Sequence, residues 1–295
     1  MKTETEVINL ILNFARSNEN IRAVLLEGSR ANPNGKVDEL SDYDIAFVTT
    51  SNEQFLDKRW FNSFALKFGK VAILQEPDNS DLFENTHDPR DHYSYLMLFD
   101  SGLRLDITFE TVDFINKITL GIGSAIIVLL DKGNIFPNFM PNDKEFWIVK
   151  PTENQFKACC NEFWWCLQNI AKGMVRDELS YAMKMYEICH DELDKMAEWY
   201  IGTQNNFSIS AGKFGKYFKK YLPKNLYEIY ESTYSNGDYE NLWNAVFAMC
   251  DLFRILAKEV AEKLVFEYTK HEDDGMMKYL KKLRNQKLWG MPQNS

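Results

Sequence analysis

Short apolar runs separated by polar turns dominate the first half of the chain. Runs of strand length lie at residues 21–26, 43–49, 71–75, 93–99, 103–109 and 126–130. Asp100, Ser101 and Gly102 separate two of these runs, which is the spacing of a β-hairpin. Residues 31–40 are rich in Asn, Pro, Gly and Asp, which predicts a loop. Because helical patterns alternate with the strand-like runs, this half is predicted to form an α/β (α+β) domain.

Helical periodicity replaces the strand pattern in the second half. Prolines and turn formers at 135–143 predict a linker, and Thr152 before Glu153 predicts the start of a helix. A wide apolar stripe predicts the last long helix over 239–266, and the polar sequence after Lys270 predicts a frayed end. We therefore expect a first domain over residues 1–140 and an all-α helical-bundle domain over residues 151–295.

A glycine-serine turn and a pair of aspartates stand at the ends of two predicted strands. Gly28 lets the backbone approach a phosphate, and Ser29 offers a hydroxyl and an N–H donor. Asp42 and Asp44 project from one face of their strand, because side chains alternate along a strand. Two such carboxylates repel each other unless a cation lies between them, and Mg²⁺ prefers oxygen ligands. The pattern is typical of a metal-dependent nucleotidyl-transfer site.

Asp106 supplies a third carboxylate. It lies between Leu105 and Ile107, where burying an unpaired charge would be costly. Asp42 and Asp44 would hold the metal bound to the nucleotide phosphates. Asp106 would complete a second metal site or accept the proton of an acceptor hydroxyl. A Gly-Ser turn or an Asp-x-Asp pair alone is more often structural, but their combination with Asp106 favours function.

One face of the first helix in the second half mixes an aromatic side chain with charged ones. Trp165, Lys172 and Arg176 lie at helical spacing on this face, away from the apolar stripe. A solvated face with one exposed Trp is the simpler interpretation. If the helical domain closes over a nucleotide site, Lys172 and Arg176 are candidate phosphate contacts. Trp165, Arg176 and Glu178 are then candidates for contacts to a cationic acceptor.

Composition and charge narrow the class of protein. The chain has 295 residues, 45% of them hydrophobic, which is enough for two domain cores. It has no apolar run of membrane-spanning length and no signal-peptide pattern at its start, so we expect a cytoplasmic protein without a membrane partner. The five cysteines lack a Cys-x-x-Cys pair and are expected to be reduced core residues. The four histidines lack the spacing of zinc ligands.

Residues 212–220 interleave lysines with aromatic residues, a pattern that also occurs at nucleic-acid contacts. We expect the aromatics to pack inward and the lysines to be solvated. The net charge of −9 also argues against a nucleic-acid partner and is compatible with a small cationic acceptor.

Several motifs together resemble the aminoglycoside 6-adenylyltransferases, or streptomycin adenylyltransferases, of the polymerase-β-like nucleotidyltransferase superfamily. Three are shared with the wider superfamily: Gly-Ser-Arg at 28–30, Asp-Tyr-Asp at 42–44 and Arg-Leu-Asp at 104–106. Two are narrower: Asn-Glu-Phe-Trp-Trp at 161–165 and Gly-Lys-Phe-Gly-Lys-Tyr-Phe at 212–218. The resemblance covers nearly the whole chain.

The resemblance implies a fold, a reaction and cosubstrates. It implies a nucleotidyltransferase domain with a mixed sheet, followed by a helical domain that helps to bind the acceptor. The implied reaction moves AMP from ATP, with Mg²⁺, to a hydroxyl of streptomycin, which inactivates the antibiotic and releases pyrophosphate. Carried onto this chain, Gly28, Ser29 and Arg30 would hold the triphosphate, and Asp42, Asp44 and Asp106 would bind the metals.

Other interpretations of the same residues remain open. The site could modify a protein hydroxyl, or the chain could be a nucleotide-binding module without turnover. Retention of all three carboxylates weighs against the second. A tRNA-directed enzyme is conceivable as well, but the acidic balance disfavours it.

Overall fold

The computed structural model describes residues 2–82, 87–117, 125–138 and 140–285, and it divides into two compact units. The first unit, Met1–Glu145, contains a six-stranded mixed sheet with helices, and the second, Phe146–Ser295, is helical. The predicted fold class is therefore confirmed. Within the described residues, no helix combines the length and apolar character needed to cross a membrane.

Strands and helices of the first unit have the following bounds. The strands are β1 (Ile21–Glu27), β2 (Tyr43–Thr49), β3 (Val71–Gln75), β4 (His92–Phe99), β5 (Arg104–Thr111) and β6 (Ile127–Asp131). The helices are α1 (Glu4–Arg16), α2 (Gly28–Ala31), α3 (Glu53–Leu56), α4 (Arg59–Ala65) and α5 (Val112–Lys117). All six predicted strands are present, with ends that differ by two residues or fewer.

The second unit contains three long helices and several shorter ones. They are α6 (Glu153–Val175), α7 (Leu179–Gln204), α8 (Phe218–Tyr221), α9 (Lys224–Ser232), α10 (Tyr239–Leu264) and α11 (Lys270–Arg284). Short 3₁₀ helices lie at Pro77–Asn79, Lys144–Phe146 and Lys213–Gly215.

The sheet has the strand order β3-β4-β5-β2-β1-β6. Strands β2 and β5 pair in parallel, whereas every other neighbouring pair is antiparallel. The predicted hairpin joins β4 to β5, and the φ angle of 84° at Gly102 suits the glycine of a tight turn. The parallel pair brings the start of β2 beside the start of β5, where the predicted aspartates lie.

One face of the sheet is apolar and carries the core of the first unit. Helices α1, α3 and α4 cover it, and their buried side chains pack on alternate residues of β2 and β5. Phe55 stacks on Phe109 at a ring-centroid distance of 4.0 Å, and Phe109 in turn stacks on Phe47 at 5.3 Å. Tyr43 and Ile45 point into this same core. Their neighbours on β2 therefore point to the opposite face.

The core of the second unit lies between α6, α7 and α10. Thr152 caps α6 in a reciprocal arrangement with Gln155, which confirms the predicted helix start. Phe163 stacks on Phe253 with ring centroids 3.8 Å apart, joining α6 to α10. The five cysteines are free thiols and all are buried, as expected.

Three local predictions have different outcomes. Gly28–Ala31 forms a short helix, so the loop predicted over residues 31–40 is present but begins one residue later, at Asn32. In the 212–220 segment Phe218 is buried, but Phe214 is 88% exposed, so its aromatics do not all pack inward. The polar sequence after Lys270 forms α11 up to Arg284, inside the predicted helical domain, and the predicted frayed end lies outside the described residues, which stop at Asn285.

A buried ion pair joins α11 to α10, in addition to the apolar contacts that are made with the core of the second unit by Met276, Met277 and Leu280. Asp273 on α11 is 2% exposed and accepts from Arg254 of α10 through both of its oxygens, each at 2.6 Å. Tyr268 donates a third hydrogen bond to the same carboxylate at 3.0 Å. A charged hydrogen-bonded fork thus holds α11, which hydrophobic periodicity alone does not reveal.

We predict that Asp273→Asn lowers the free energy of unfolding by about 3 kcal/mol, because it removes the buried charge paired with Arg254 and leaves the exposed Asp251 as its partner. Asp274→Asn is the matched control, since Asp274 is 66% exposed and its ion pair with Lys270 is 3.7 Å long. The control is expected to change stability by less than about 0.5 kcal/mol. Urea titration followed by circular dichroism measures both. Equal effects of the two substitutions would contradict the role assigned to Asp273.

Candidate active site

Strand register brings three carboxylates into one row across the sheet. Glu27 of β1 pairs with Asp44 of β2, and Asp44 pairs with Asp106 of β5. Directly paired residues of neighbouring strands project from the same face. Asp42 lies two residues before Asp44 and belongs to this face as well. The structure therefore brings together the three predicted aspartates and adds Glu27, which the sequence analysis does not include among its candidates.

Arg104 lies between two of these carboxylates. Its Nε and Nη2 donate to the two oxygens of Asp106, at 3.1 and 2.7 Å. Its Nη1 lies 3.2 Å from Oδ2 of Asp42. The side chain of Arg104 is 47% exposed, whereas that of Asp106 is 15% exposed. One guanidinium therefore bridges Asp42 and Asp106 at the surface of the sheet.

The Gly-Ser turn approaches Asp44 closely. Gly28 has a φ angle of 64°, and a Cβ atom at this residue would lie 2.2 Å from Oδ2 of Asp44. Neither the backbone conformation nor the space is compatible with a larger residue. Ser29 follows as the second residue of α2. The turn thus brings the backbone of Gly28 against the carboxylate row.

Arg30 fixes the loop that precedes β2. Its Nε donates to the carbonyl oxygen of Asp42 at 2.9 Å, and its Nη2 donates to that of Ser41 at 2.8 Å. Its guanidinium lies 3.8 Å from the ring centroid of Tyr43. The side chain is 6% exposed. In this structure Arg30 positions Asp42, and its predicted contact to a nucleotide stays a prediction.

Burial and nearby negative charges raise the pKa values of several carboxyl groups in the site. Burial, together with Asp106 and Asp42, raises the pKa of Asp44 to about 6. Burial, together with Glu110 and Asp44, raises the pKa of Glu27 to about 7. Burial also raises the pKa of Asp42, although Arg104 opposes the shift. Burial first, and neighbouring carboxylates second, thus disfavour the charged forms of Glu27 and Asp44.

Polar side chains in hydrogen-bond contact continue from the carboxylate row across the same face of the sheet. His92 Nδ1 lies 3.1 Å from Oε1 of Glu110, and Nε2 of the same ring lies 3.4 Å from Oγ of Ser94. The hydroxyls of Ser94 and Thr108 are 3.3 Å apart. These four residues were not among the predicted site residues. The alternation His92-x-Ser94 and Thr108-x-Glu110 nevertheless indicates a polar face on two apolar strands.

The donor chemistry of the aspartates suits a hard divalent cation. Asp42, Asp44 and Asp106 offer carboxylate oxygens on one face, and the absence of a Cβ atom at Gly28 lets the backbone lie against Asp44. As the side chains stand, no three His, Cys, Asp or Glu residues in the described part of the chain form a group able to hold a metal ion. Arg104 engages two of the three aspartates.

The predicted residues of the second unit lie around the end of α6. Lys172 and Arg176 line a cavity of about 300 Å³ together with Val175, Tyr279 and Leu283. Trp165 is 61% exposed, two turns before Lys172 on the same helix. Glu178 follows Arg176 after a sharp turn at Asp177, which has a φ angle of 60°. The structure brings Lys172 and Arg176 to one cavity, which Trp165 and Glu178 do not line.

Comparison with known proteins gives matches over nearly the full length. The family profile described as streptomycin adenylyltransferase matches residues 1–283. An aminoglycoside 6-adenylyltransferase of Bacillus subtilis (strain 168) is 36% identical, over 95% of this chain and 97% of that protein. A protein of the same name from Campylobacter jejuni is 35% identical, over 99% of this chain and 98% of its own length.

Two further matches also extend over nearly the full length of the chain. An aminoglycoside 6-adenylyltransferase of Staphylococcus aureus is 33% identical, over 92% of this chain and 95% of that protein. The crystal structure of an aminoglycoside 6-adenyltransferase from Bacillus subtilis is 33% identical in sequence, with a TM-score of 0.47. It covers 97% of this chain and 100% of that chain.

We predict that Glu27→Gln stabilises the metal-free protein at pH 8 but not at pH 5. The pKa of Glu27 is raised from 4.5 to about 7, so its neutral form is favoured by folding. The stability that this provides is present below pH 4.5 and is lost as the pH rises through about 7. Glutamine stays neutral, which gives an advantage on the order of 2 kcal/mol at pH 8.

Thermal unfolding at the two pH values measures this difference. Glu19→Gln, at an exposed position just before β1, is the control and is expected to behave alike at both. A Glu27→Gln variant whose advantage over the wild type is the same at pH 5 and pH 8 would contradict the assigned environment of Glu27.

Proposed function

Because the chain belongs to the streptomycin adenylyltransferase family and is therefore an aminoglycoside nucleotidyltransferase, we propose that it transfers AMP from ATP to a hydroxyl of streptomycin and releases pyrophosphate. The main structural support is the pairing of Asp44 with Asp106 on neighbouring strands. Asp42 lies on the same face, and Gly28 lies against Asp44. Such a site serves transfer between two oxygens, because a cation held there stabilises the entering and leaving oxygens together.

The nucleotide is proposed to lie at the β1 end of the row. Gly28 and Ser29 would take the triphosphate with their backbone N–H groups, since Gly28 brings the chain against Asp44. Asp42 and Asp44 would hold Mg²⁺, which when bound would neutralise charge on the reacting phosphate. The raised pKa of Asp44, to about 6, reflects burial and repulsion from Asp106 and Asp42, which such a cation would relieve.

The acceptor is proposed to approach from the β5 side. Strand β2, with Asp44, lies between β1 and β5, so Gly28 and Asp106 flank Asp44 on opposite sides. In-line displacement requires the entering and leaving oxygens on opposite sides of the phosphorus. Asp106 would therefore face the acceptor hydroxyl, as a metal ligand or as the group that accepts its proton.

A cavity on the acceptor side supports this direction of approach. It has a volume of about 480 Å³ and is lined by Arg104 at the edge of the acidic row and by residues of β3 and β4. Its aliphatic floor includes Ile73, Leu96 and Leu98. A ring with apolar C–H groups and polar substituents could rest on such a floor while a hydroxyl reaches Asp106.

Residues of the second unit complete the proposal. Lys172 is proposed to contact the nucleotide, and Trp165, Arg176 and Glu178 to contact the acceptor. Trp165 offers a largely exposed aromatic surface, and Glu178 offers negative charge to a cationic drug. The wide exposure of Trp165 in particular is unusual for a residue that serves only the helical core.

We predict that Asp42→Asn and Asp44→Asn each reduce the rate of AMP transfer by about 100-fold or more, because each removes a charged metal ligand. Asp100→Asn, at the exposed hairpin turn, is the control and should retain wild-type activity. The measurement is pyrophosphate release from ATP and Mg²⁺ with and without streptomycin, with mass spectrometry of the drug. Turnover near the wild-type rate in either folded variant would reject the proposed metal ligands.

The same assay tests the acceptor. A drug heavier by one adenylyl unit, formed only with the wild type and Asp100→Asn, is the result expected. Intact ATP binding with no streptomycin-dependent release would reject streptomycin as the acceptor while leaving the nucleotide site in place.

For the acceptor contacts, we predict that Glu178→Gln weakens streptomycin binding about three- to tenfold and leaves ATP binding unchanged, because only the cationic ligand loses a charged partner. Glu187→Gln, on α7 with a side chain 61% exposed, is the matched control. Isothermal titration calorimetry with each ligand separately measures both affinities. Streptomycin affinity equal to that of the control would remove Glu178 from the acceptor site.

A further inference from the structure

Arg104 makes contacts that compete with a divalent cation. Its guanidinium covers both carboxylate oxygens of Asp106, at 3.1 and 2.7 Å, and reaches Oδ2 of Asp42 at 3.2 Å. These are oxygens that the proposed metal site would use. An arginine fork of this kind occupies one acceptor site on each oxygen, about two of the roughly four that a carboxylate offers. The metal and the guanidinium therefore cannot use those acceptor sites of Asp106 at the same time.

The exposure of Arg104 makes an exchange feasible. The side chain of Arg104 is 47% exposed, that of Asp42 is 34% exposed and that of Asp106 is 15% exposed. The guanidinium therefore has access to water in both ion pairs, and the more exposed pair, with Asp42, is weak. The freed guanidinium would be hydrated from the open side of the cavity that it lines with Leu96 and Leu98.

The other arginine of the site has the opposite character. Arg30 is 6% exposed, and it donates to the backbone carbonyls of Asp42 and Ser41 rather than to the carboxylates of the row. Releasing it would leave buried groups without partners, which is costly. The site thus has one fixed arginine, which supports the loop, and one arginine that can leave.

We propose that Arg104 is an exchangeable cation of the active site, which holds Asp106 and Asp42 in place in the metal-free protein and is displaced when the divalent cation binds. This inference rests on the proposed function, because it requires a metal at these carboxylates. Arg104 is then a positioning residue. It limits the repulsion within the acidic row before the metal arrives, and its displacement sets part of the metal affinity.

The test is a calorimetric titration of the nucleotide-free protein with Mn²⁺. Arg104→Gln is expected to bind Mn²⁺ about fivefold more tightly than the wild type, the size expected when a partly exposed ion pair no longer has to be broken. Arg90→Gln is the matched control. Arg90 forms the same kind of fork with Asp88, also two residues away, on an exposed loop, and its loss should leave Mn²⁺ affinity unchanged.

The variant Arg104→Lys distinguishes the loss of the hydrogen-bonded fork from the loss of positive charge. Lysine keeps the positive charge but lacks the planar fork, so a displaced fork predicts Mn²⁺ affinity between those of the wild type and Arg104→Gln. The metal-free thermal midpoint is the second measurement. It should fall in Arg104→Gln and recover with saturating Mn²⁺, whereas a purely structural role predicts a loss that Mn²⁺ does not restore.

The outcomes are distinct. Unchanged or weaker Mn²⁺ binding by Arg104→Gln overturns the exchange, and so does a lysine variant that binds like the wild type while the glutamine variant binds more tightly. Absence of Mn²⁺ binding in both the wild type and Arg104→Gln instead overturns the metal site of the proposed function, and the exchange with it.

Discussion

Repulsion among carboxylates that the sheet holds in one row is the constraint on which the active site depends. Glu27, Asp44 and Asp106 are consecutive register partners on β1, β2 and β5. The backbone hydrogen bonds that pair these strands also fix the distances between the charges. The row cannot relax by moving apart without breaking the sheet. It must be compensated by protons, by Arg104 or by an added cation, and this need for positive charge is the basis of the proposed chemistry.

The apolar face of the sheet makes this arrangement possible. Tyr43, Ile45 and Phe47 of β2 are buried against α1, α3 and α4, so their neighbours must point the other way. A slip of one residue would exchange the two faces and bury the aspartates in the core. The aromatic packing around Phe55 and Phe109 thus fixes the register, and the register fixes the site. Stability and function are coupled through one strand pairing.

Much of this could be predicted from local sequence, and the reasons for the failures are physical. The six strands, the hairpin and the start of α6 follow from alternation, turn residues and a capping box within a few positions of one another. The side-by-side placement of Asp42 and Asp44 follows from alternation along one strand. The role of Glu27 does not, because it depends on the pairing of β1 with β2, which no short window contains. The docking of α11 does not follow from local sequence either, because it depends on the ion pair of Asp273 with Arg254 on another helix as well as on a few apolar contacts.

A crystal structure with Mn²⁺ and a non-hydrolysable ATP analogue, in which anomalous scattering locates the metal, tests the proposed site most directly. Mn²⁺ is expected at about 2.0–2.3 Å from carboxylate oxygens of Asp42 and Asp44, with the triphosphate against Gly28 and Ser29. A fully occupied Mn²⁺ bound elsewhere, with the carboxylates of Asp42 and Asp44 free of metal, would contradict it.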